Sequence, residues 1–267
     1  MTQISILGCG WLGLPLAKAL LANEFLVKGS TTSESKLAIL EKLEIKPFLI
    51  ALSEDKPTGD ITNFLENSSL LIIDIPPKLR GTQKENFVSK IKNIIPYIEK
   101  STIANVLFVS STSVYGEAKQ TITENTTPKP DTESGKQLLE VESLLQSNPH
   151  FKTTILRFGG LIGEDRNPTK FMAGKVNIEN PETPINFIHQ EDCIGIILKI
   201  ITSNSWNEIF NGVSPFHPSR EKYYTQKATE LSLPLPQFDH SKPSVGKLIL
   251  SDKIEKILGY SFIKTNL

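Results

Sequence analysis

The chain opens with an apolar β-strand pattern that runs directly into a glycine-rich turn. Ile4–Leu7 precedes Gly8-Cys9-Gly10-Trp11-Leu12-Gly13, which fits the spacing G-x-G-x-x-G. In this pattern the first glycine permits a sharp turn, the second lets the backbone approach a pyrophosphate, and the third lets the next helix pack on the sheet. Leucines then follow at helical spacing, so a helix begins at the turn. We therefore expect a dinucleotide at the amino end of this helix, bound by Gly8, Gly10, Trp11, Leu12 and Gly13.

Apolar runs that alternate with helical patterns extend this beginning into a larger sheet. Several runs, such as Leu70-Leu71-Ile72-Ile73, are continuously apolar, as is typical of strands buried on both faces of a parallel sheet. The pattern predicts strands at Gln3–Leu7, Phe25–Ser30, Pro47–Leu52, Leu70–Ile75, Asn105–Ser110, Thr153–Phe158 and Glu208–Gly212. It predicts helices at Lys84–Glu99, Asp131–Ser147 (capped by Asp131), Glu191–Ser203, Ser219–Ser232 and near Asp252–Leu258. Repeated strand–helix–strand units predict the α/β class, with a doubly wound parallel Rossmann sheet.

The second half of the chain is less regular, and we expect it to form a smaller α/β unit. Residues 159–187 are rich in Gly, Pro and Asn. We predict an NAD(P)-binding Rossmann domain over residues 1–158 and a small C-terminal substrate lobe over residues 159–267. Residues from about 189 to 212 are expected to pack back on the Rossmann domain.

Composition excludes several classes of partner. Lys and Arg number 29, as do Asp and Glu, so the net charge is zero and nothing indicates binding to nucleic acid or to an acidic membrane surface. No apolar run is long enough to span a bilayer. The chain has two cysteines, Cys9 and Cys193. Cys9 lies inside the glycine turn, which is a poor position for a disulfide. We therefore expect a cytoplasmic protein. We expect no metal site, because no set of His and Cys occurs at ligand spacing.

The end of the second strand distinguishes NADP from NAD. An acidic residue at this point would bind the ribose 2′-hydroxyl of NAD, but the chain has Ser30, Thr31 and Thr32, with Lys36 close behind. This hydroxyl-rich turn favours NADP over NAD. Alternatively, Thr32 or Ser33 only caps the helix that follows.

Other strand ends supply further candidates, because ligands of open α/β sheets lie beyond the carboxyl ends of the strands. Asp74-Ile75-Pro76-Pro77 ends the fourth strand, and the segment from Ile75 to Pro77 could form a wall beside the cofactor ribose or only stiffen the loop. Ser110 ends the fifth strand. Phe158-Gly159-Gly160 follows the sixth, where small residues could admit the nicotinamide or only form a turn. Trp11 either shields the pyrophosphate or covers the helix end.

A series of motifs in a fixed order resembles one protein family. The motifs are the glycine turn, Ser110-Ser111-Thr112-Ser113-Val114-Tyr115-Gly116, Leu156–Gly163, Ile185–Asp192, Ile209–Gly212 and Leu258-Gly259-Tyr260. This order resembles the extended short-chain dehydrogenase/reductases, the NAD-dependent epimerase/dehydratase family. The likeness is closest to the atypical YeeZ-like branch, which is shorter and departs from the family's tyrosine motif.

The resemblance implies roles for several residues. Ser111 matches the catalytic serine that hydrogen-bonds the substrate oxygen, with Thr112 beside it. Lys136 matches the lysine that binds the nicotinamide ribose, but Thr132 occupies the position of the usual proton-donating tyrosine. An aliphatic hydroxyl cannot ionise usefully, whereas a phenol with a pKa near 10 can be shifted toward neutrality by its neighbours. Thr132 is therefore expected to cap or pack. Arg166 resembles the family's substrate-loop arginine.

The missing tyrosine leaves the proton donor open. Tyr115 could serve from a neighbouring position, or a substrate hydroxyl, water or another residue could, or the site binds a dinucleotide without turnover. Lys136 could instead pair with Glu140, and Arg166 with Glu164 or Asp165. His189 and Asp192 are interpreted as structural hydrogen-bonding residues.

These observations lead to one expected function and one principal alternative. The expected function is an NAD(P)-dependent oxidoreductase or epimerase that acts on a small hydroxyl or keto substrate, such as a nucleotide-sugar-like compound. The alternative is a non-catalytic NAD(P)-binding or redox-sensing module, and a flavin site is a minor third hypothesis. Long helices such as Lys84–Glu99 and Asp131–Ser147 could form a homodimer face in the manner of the family.

Overall fold

A computed structural model describes residues 2–77, 79, 85–117 and 120–265. The strands are β1 (Gln3–Leu7), β2 (Leu26–Thr31), β3 (Lys46–Leu49), β4 (Leu70–Ile73), β5 (Asn105–Ser111), β6 (Thr121–Ile122), β7 (Lys152–Phe158), β8 (Gly160–Ile162), β9 (Phe187–His189), β10 (Ile209–Gly212) and β11 (Leu248–Ile249). The helices are α1 (Gly13–Ala22), α2 (Leu37–Lys42), α3 (Ile61–Leu65), α4 (Phe87–Glu99), α5 (Glu133–Gln146), α6 (Thr169–Met172), α7 (Gln190–Thr202) and α8 (Arg220–Glu230). A π-helical turn, Ile254–Leu258, follows β11.

Seven strands form one parallel sheet in the order β10-β7-β5-β4-β1-β2-β3. The chain builds outward from β1 in one direction through β2 and β3, and in the other through β4, β5, β7 and β10. The order therefore reverses between β1 and β4, and a doubly wound sheet binds its ligand at such a switch point. The predicted α/β class and doubly wound Rossmann sheet are confirmed.

Helices cover both faces of the sheet because each presents an apolar stripe. On one face, α4 and α5 pack over β5 and β4, and α4 buries Phe87, Ile91, Ile94 and Ile98. On the other face, α1 and α7 share a second cluster with β1 and β10, to which α1 contributes Leu16 and Leu20. Burial of an aliphatic or aromatic side chain of this size stabilises the fold by about 1.5–3 kcal/mol. Pro96 lies inside α4, but the helix continues to Glu99 instead of ending early.

Most predicted elements lie within two residues of their observed positions, and the differences have local causes. Thr132, and not Asp131, caps α5, because the Thr132 hydroxyl accepts the Gly135 N–H at 3.1 Å. The Asp131 carboxylate instead accepts the Glu117 N–H at 2.9 Å. The predicted start of α4 at Lys84 lies outside the described residues.

Smaller elements complete the second half of the chain. The pairs β8–β9 and β6–β11 form two short parallel ladders, and α6 packs against α8. Phe187, Tyr223 and Tyr224 pack edge to face in a separate small core. No helix in the described part of the chain combines the length and the apolar character needed to cross a bilayer.

Candidate functional site

The three glycines of the turn have different surroundings. Gly8 has a φ of +108°, a conformation that favours glycine, and a Cβ atom there would overlap the Asp74 carbonyl. A Cβ atom on Gly13 would overlap the Gly8 carbonyl oxygen. Gly10 has a negative φ, and nothing lies within 4 Å of the position that its Cβ would occupy. Packing therefore explains Gly8 and Gly13, whereas Gly10 borders open space that a side chain would fill.

Two backbone amides beside this open space have no partner. The Leu14 N–H donates to the Gly10 carbonyl at 3.2 Å, and the Gly13 N–H donates to the Asp74 carboxylate. The N–H groups of Trp11 and Leu12 donate to no acceptor within the described residues. Free amides at the start of a ten-residue helix, together with its positive dipole end, suit a phosphate group. The turn thus fits the pyrophosphate of a dinucleotide.

Asp74 follows β4 and lies against the glycine turn. Its Oδ2 atom is 3.1 Å from the position that a Gly13 Cβ would occupy. Burial raises the pKa of the Asp74 carboxyl to about 7, and the hydrogen bond from the Gly13 N–H opposes that increase. Asp74 therefore contacts the glycine turn through its carboxylate, beside Gly13.

The end of β2 is hydrogen-bonded to the glycine turn. The Gly8 N–H donates to Ser30 Oγ at 2.9 Å, and the Cys9 N–H donates to the Ser30 carbonyl at 2.8 Å. Thr31 Oγ1 accepts the Ser33 N–H at 3.1 Å, so this hydroxyl stabilises its own turn. Thr32 is exposed, as is Lys36. Of the hydroxyls predicted to bind a cofactor, that of Thr32 is therefore the most accessible.

The other strand ends meet at the same edge but differ in accessibility. Ile75 packs against Gly8, and Pro76 beyond it is exposed while Pro77 is partly buried. Phe158 is buried at the end of β7. Gly159 lies so close to Asn186 that a Cβ atom would overlap the Asn186 carbonyl oxygen. Close packing therefore explains this glycine without a ligand.

Ser111 is the last residue of β5 and is only partly buried. Its Oγ accepts the Ser113 N–H at 3.2 Å and so caps the 3₁₀ turn Thr112–Val114. Thr112, the other predicted substrate ligand, is buried. A Cβ atom on Gly135 would overlap the Ser113 carbonyl oxygen, so the first turn of α5 packs directly on this 3₁₀ turn. Ser111 and α5 are therefore brought to one edge of the sheet.

Lys136 lies exposed on that first turn of α5. The alternative interpretation, an ion pair with Glu140, is wrong, because Glu140 pairs with Lys92 at 3.3 Å. Within the described residues Lys136 forms no ion pair. The prediction that Thr132 caps or packs is confirmed by its cap of α5.

Tyr115 belongs to a buried polar network and not to the open edge. Its side chain is 1 % exposed, its hydroxyl donates to Asn211 Oδ1 at 2.9 Å, and it accepts from Arg157 Nη1 at 2.7 Å. Arg157 in turn pairs with Glu142 through three hydrogen bonds, and Ser110 Oγ donates to the same carboxylate at 2.6 Å. Burial raises the pKa of the Tyr115 phenol, although Arg157 opposes the shift. This placement argues against Tyr115 as the proton donor and against Ser110 as a cofactor ligand, since both hydroxyls are engaged internally.

Trp11 is bound by the turn formed by residues 163–166, hereafter the 163–166 turn. Trp11 Nε1 donates to Asp165 Oδ1 at 2.7 Å, and Gln190 Nε2 donates to the Trp11 carbonyl at 2.7 Å. The Arg166 guanidinium carbon lies 5.0 Å from the centroid of the Trp11 ring. The alternative interpretation, an ion pair of Arg166 with Glu164 or Asp165, is therefore wrong: within the described residues Arg166 forms no ion pair and instead lies over the Trp11 ring.

His189 and Asp192 are structural, as predicted. His189 Nδ1 accepts the Glu191 N–H at 3.2 Å and caps α7. Asp192 is fully buried, and its carboxylate accepts the Tyr260 hydroxyl at 2.8 Å together with the N–H groups of Ile263 and Lys264. These bonds fasten the C-terminal segment to α7.

Sequence reasoning missed two surface features. Oxygen atoms of Glu182 and Glu221 and a ring nitrogen of His240 all lie within 4.8 Å of one another, but two of the three residues are exposed and the third is partly so. No sequence spacing links them, because each comes from a different loop or helix. A groove of about 570 Å³ lies between Glu66 and Tyr97, beside the amino ends of β4 and β5 and away from the glycine turn.

Comparisons with known proteins agree with this architecture. No model of a protein family matches the chain. The chain is 34% identical over 264 residues to Protein YeeZ of Escherichia coli K12, and the match covers 98% of this chain and 96% of that protein. Among solved structures, it is similar to a putative NAD-dependent epimerase/dehydratase from Methylobacillus flagellatus, with a TM-score of 0.76, 23% identity, and coverage of 99% and 94%. It is also similar to UDP-glucuronic acid 4-epimerase from Bacillus cereus in complex with NAD, with a TM-score of 0.79, 19% identity, and coverage of 97% and 91%.

Proposed function

Because this chain belongs to the YeeZ-like branch of the extended short-chain dehydrogenase/reductases, we propose that it is an NAD(P)-dependent oxidoreductase or epimerase. The observation that supports this most is the pair of free amides, Trp11 and Leu12, beside the open space at Gly10. These groups lie at the switch point of the sheet, where a doubly wound fold binds its ligand. The substrate is a small molecule with a hydroxyl or keto group, in the manner of the nucleotide sugars named for the similar epimerase.

The chain's own residues then have distinct tasks. The turn amides bind the pyrophosphate, and Pro76 and Pro77 form a wall beside the ribose. When bound, the nicotinamide supplies hydride acceptance or donation. Ser111, partly exposed at the carboxyl end of β5, donates a hydrogen bond to the substrate oxygen, and Lys136 binds the nicotinamide ribose from α5. We assign the proton itself to the substrate or to water, because Tyr115 is buried and Thr132 caps a helix.

We further propose that the cofactor is NADP. No carboxylate stands at the carboxyl end of β2, where one would bind the 2′-hydroxyl of NAD. Exposed Thr32 and Lys36 could instead receive a 2′-phosphate. The same proposal includes three further points. The chain divides into a Rossmann domain (1–158) and a substrate lobe (159–267), the protein is cytoplasmic, and it forms a homodimer through α4 and α5.

Calorimetric titration with NADP⁺, NADPH, NAD⁺ and NADH tests the binding claim. Gly10→Ala is the matched variant, since its Cβ meets nothing within 4 Å in the protein yet would occupy the space assigned to the pyrophosphate. We expect micromolar binding to the wild type, at least a tenfold loss in the variant, and an unchanged melting temperature. If the wild type binds none of the four dinucleotides, the proposal is wrong.

A second candidate function, dinucleotide binding without turnover, is favoured by one specific observation. Both side chains that sequence places near the missing tyrosine have structural hydrogen bonds. Ser111→Ala distinguishes the two functions in assays with a panel of hydroxyl and keto substrates. An oxidoreductase loses turnover in this variant but keeps its cofactor affinity, whereas a binding module shows no turnover with either protein.

A further inference from the structure

The guanidinium of Arg166, which is distant in sequence from the glycine turn, lies over the ring of Trp11 in that turn. The guanidinium carbon is 5.0 Å from the ring centroid, within the range of a cation–π contact. Trp11 itself carries one of the two free amides of the turn, and Leu12 carries the other. The cation therefore lies over the side chain of Trp11, whose own backbone N–H is available to an anion.

Several contacts hold the 163–166 turn, and with it the backbone of Arg166, against the Trp11 indole. The indole is bound by Asp165, and a Cβ atom on Gly163 would come within 2.9 Å of Trp11 Cζ2, so the 163–166 turn lies directly against the ring. The ends of that turn are joined by two backbone hydrogen bonds between Gly163 and Arg166, at 3.0 and 3.2 Å. An arginine placed in this way loses less conformational entropy when it binds a ligand.

The donors of Arg166 are available. The residue is exposed, and within the described part of the chain its guanidinium has no carboxylate partner. Asp165, the nearest acid in sequence, is engaged by the Trp11 indole. The planar guanidinium carries N–H donors whose geometry matches the oxygens of a phosphate.

We propose that Arg166 binds the pyrophosphate of the dinucleotide together with the Trp11 and Leu12 amides. The proposal rests on the dinucleotide function proposed above. It moves Arg166 from the substrate, where the family resemblance had placed it, to the cofactor, because its aromatic partner is part of the glycine turn. It also means that dinucleotide binding fastens the 163–166 turn to the start of α1.

The test compares the wild type with Arg166→Met and Arg220→Met in calorimetric titrations with NADPH and ADP-ribose. Arg220 is the control, since it lies in the same half of the chain but donates to the Glu179 carbonyl instead of stacking on Trp11. ADP-ribose contains the pyrophosphate but neither the nicotinamide nor a 2′-phosphate. We expect Arg166→Met to weaken both ligands at least tenfold, and to a similar degree, and Arg220→Met to change neither more than twofold.

The other outcomes are distinct from one another. If the wild type binds neither ligand, the proposed function fails. If the wild type binds both and Arg166→Met binds them equally well, the function survives and the role of Arg166 is refuted. A loss confined to NADPH would also refute it, because the contact would then be to the nicotinamide half or to the 2′-phosphate. Trp11 fluorescence in a Trp206→Phe background, followed during the NADPH titration, should change in the Arg166 protein and much less in the Met variant.

Discussion

Replacement of Asp74 by Asn should change how the stability of the protein depends on pH. Asp74 lies beside Gly13, and burial raises the pKa of its carboxyl from 3.8 to about 7. Asn has nearly the same shape, and its side-chain oxygen can still accept the Gly13 N–H. The substitution therefore removes the charge while it keeps the hydrogen bond.

The sign of the effect follows from proton linkage. Between pH 4 and pH 7 the folded protein retains a proton on Asp74 that the unfolded chain has released, so the stability of the wild type falls as the pH rises. A shift of about 3 units at 1.36 kcal/mol per unit sets a ceiling of about 4 kcal/mol. Only about 2 of these units lie above pH 5, and Asp74 is partly exposed, so between pH 5 and pH 8 we expect a change of about 2 kcal/mol. The neighbouring thiols of Cys9 and Cys193 stay neutral over this pH range, because burial raises the pKa of Cys9 to about 12 and also raises that of Cys193. They therefore do not titrate together with Asp74.

Urea denaturation at pH 5, 6, 7 and 8 measures the effect. The free energy of unfolding of Asp74→Asn relative to wild type should increase steadily over this range, by about 2 kcal/mol, and level off above pH 7.5. Asp55→Asn, at an exposed loop position, is the control and should show no such trend. A difference between Asp74→Asn and wild type that does not vary with pH would show that the carboxyl titrates normally.

Two further substitutions test the packing around the site. Arg157→Met should lower the free energy of unfolding, measured by urea denaturation, by about 3–5 kcal/mol, because it leaves the Glu142 carboxylate buried without its ion pair. The double variant Arg157→Met with Glu142→Leu should recover most of that loss. Equal losses in the single and double variants would contradict this. Thr132→Ala should lower the free energy of unfolding by about 1 kcal/mol through loss of the α5 cap, and Thr132→Ser should not. If Thr132→Ala has no effect on stability, the cap contributes nothing.

The sequence predicted the sheet well because its strands are buried on both faces. Continuous apolar runs such as Leu70–Ile73 have few alternatives to a central parallel strand, and β1 was predicted without error. The short helix α3 was missed, since five residues carry little periodicity. A helix was expected after Ser33, but neither the 3₁₀ turn there nor α2 has a side-chain cap from Thr32 or Ser33. The two-residue strands β6 and β11 pair across more than 120 positions, a contact that no local pattern indicates.

The sequence allowed the backbone turn of the candidate site to be predicted, but not the contacts that its side chains form. The glycine spacing located the turn, because Gly8 and Gly13 are required by local packing. It could not show that Tyr115 is buried, since its partners Arg157 and Asn211 follow 42 and 96 residues later. It also could not show that Arg166 stacks on Trp11, because that contact depends on how the two halves of the chain meet.

The contacts that hold the glycine turn are separate from the cap of α5, where the family resemblance places the usual tyrosine. The turn is held by Ser30 from β2, Asp74 after β4 and Gln190 at the start of α7, and none of these contacts involves α5. The resemblance to the family places its tyrosine at the cap of α5, where Thr132 stabilises the helix. A conservative substitution at the cap is therefore expected to leave the free amides of Trp11 and Leu12 in place. Dinucleotide affinity should consequently be the same in Thr132→Ser and wild type, whatever the substrate proves to be.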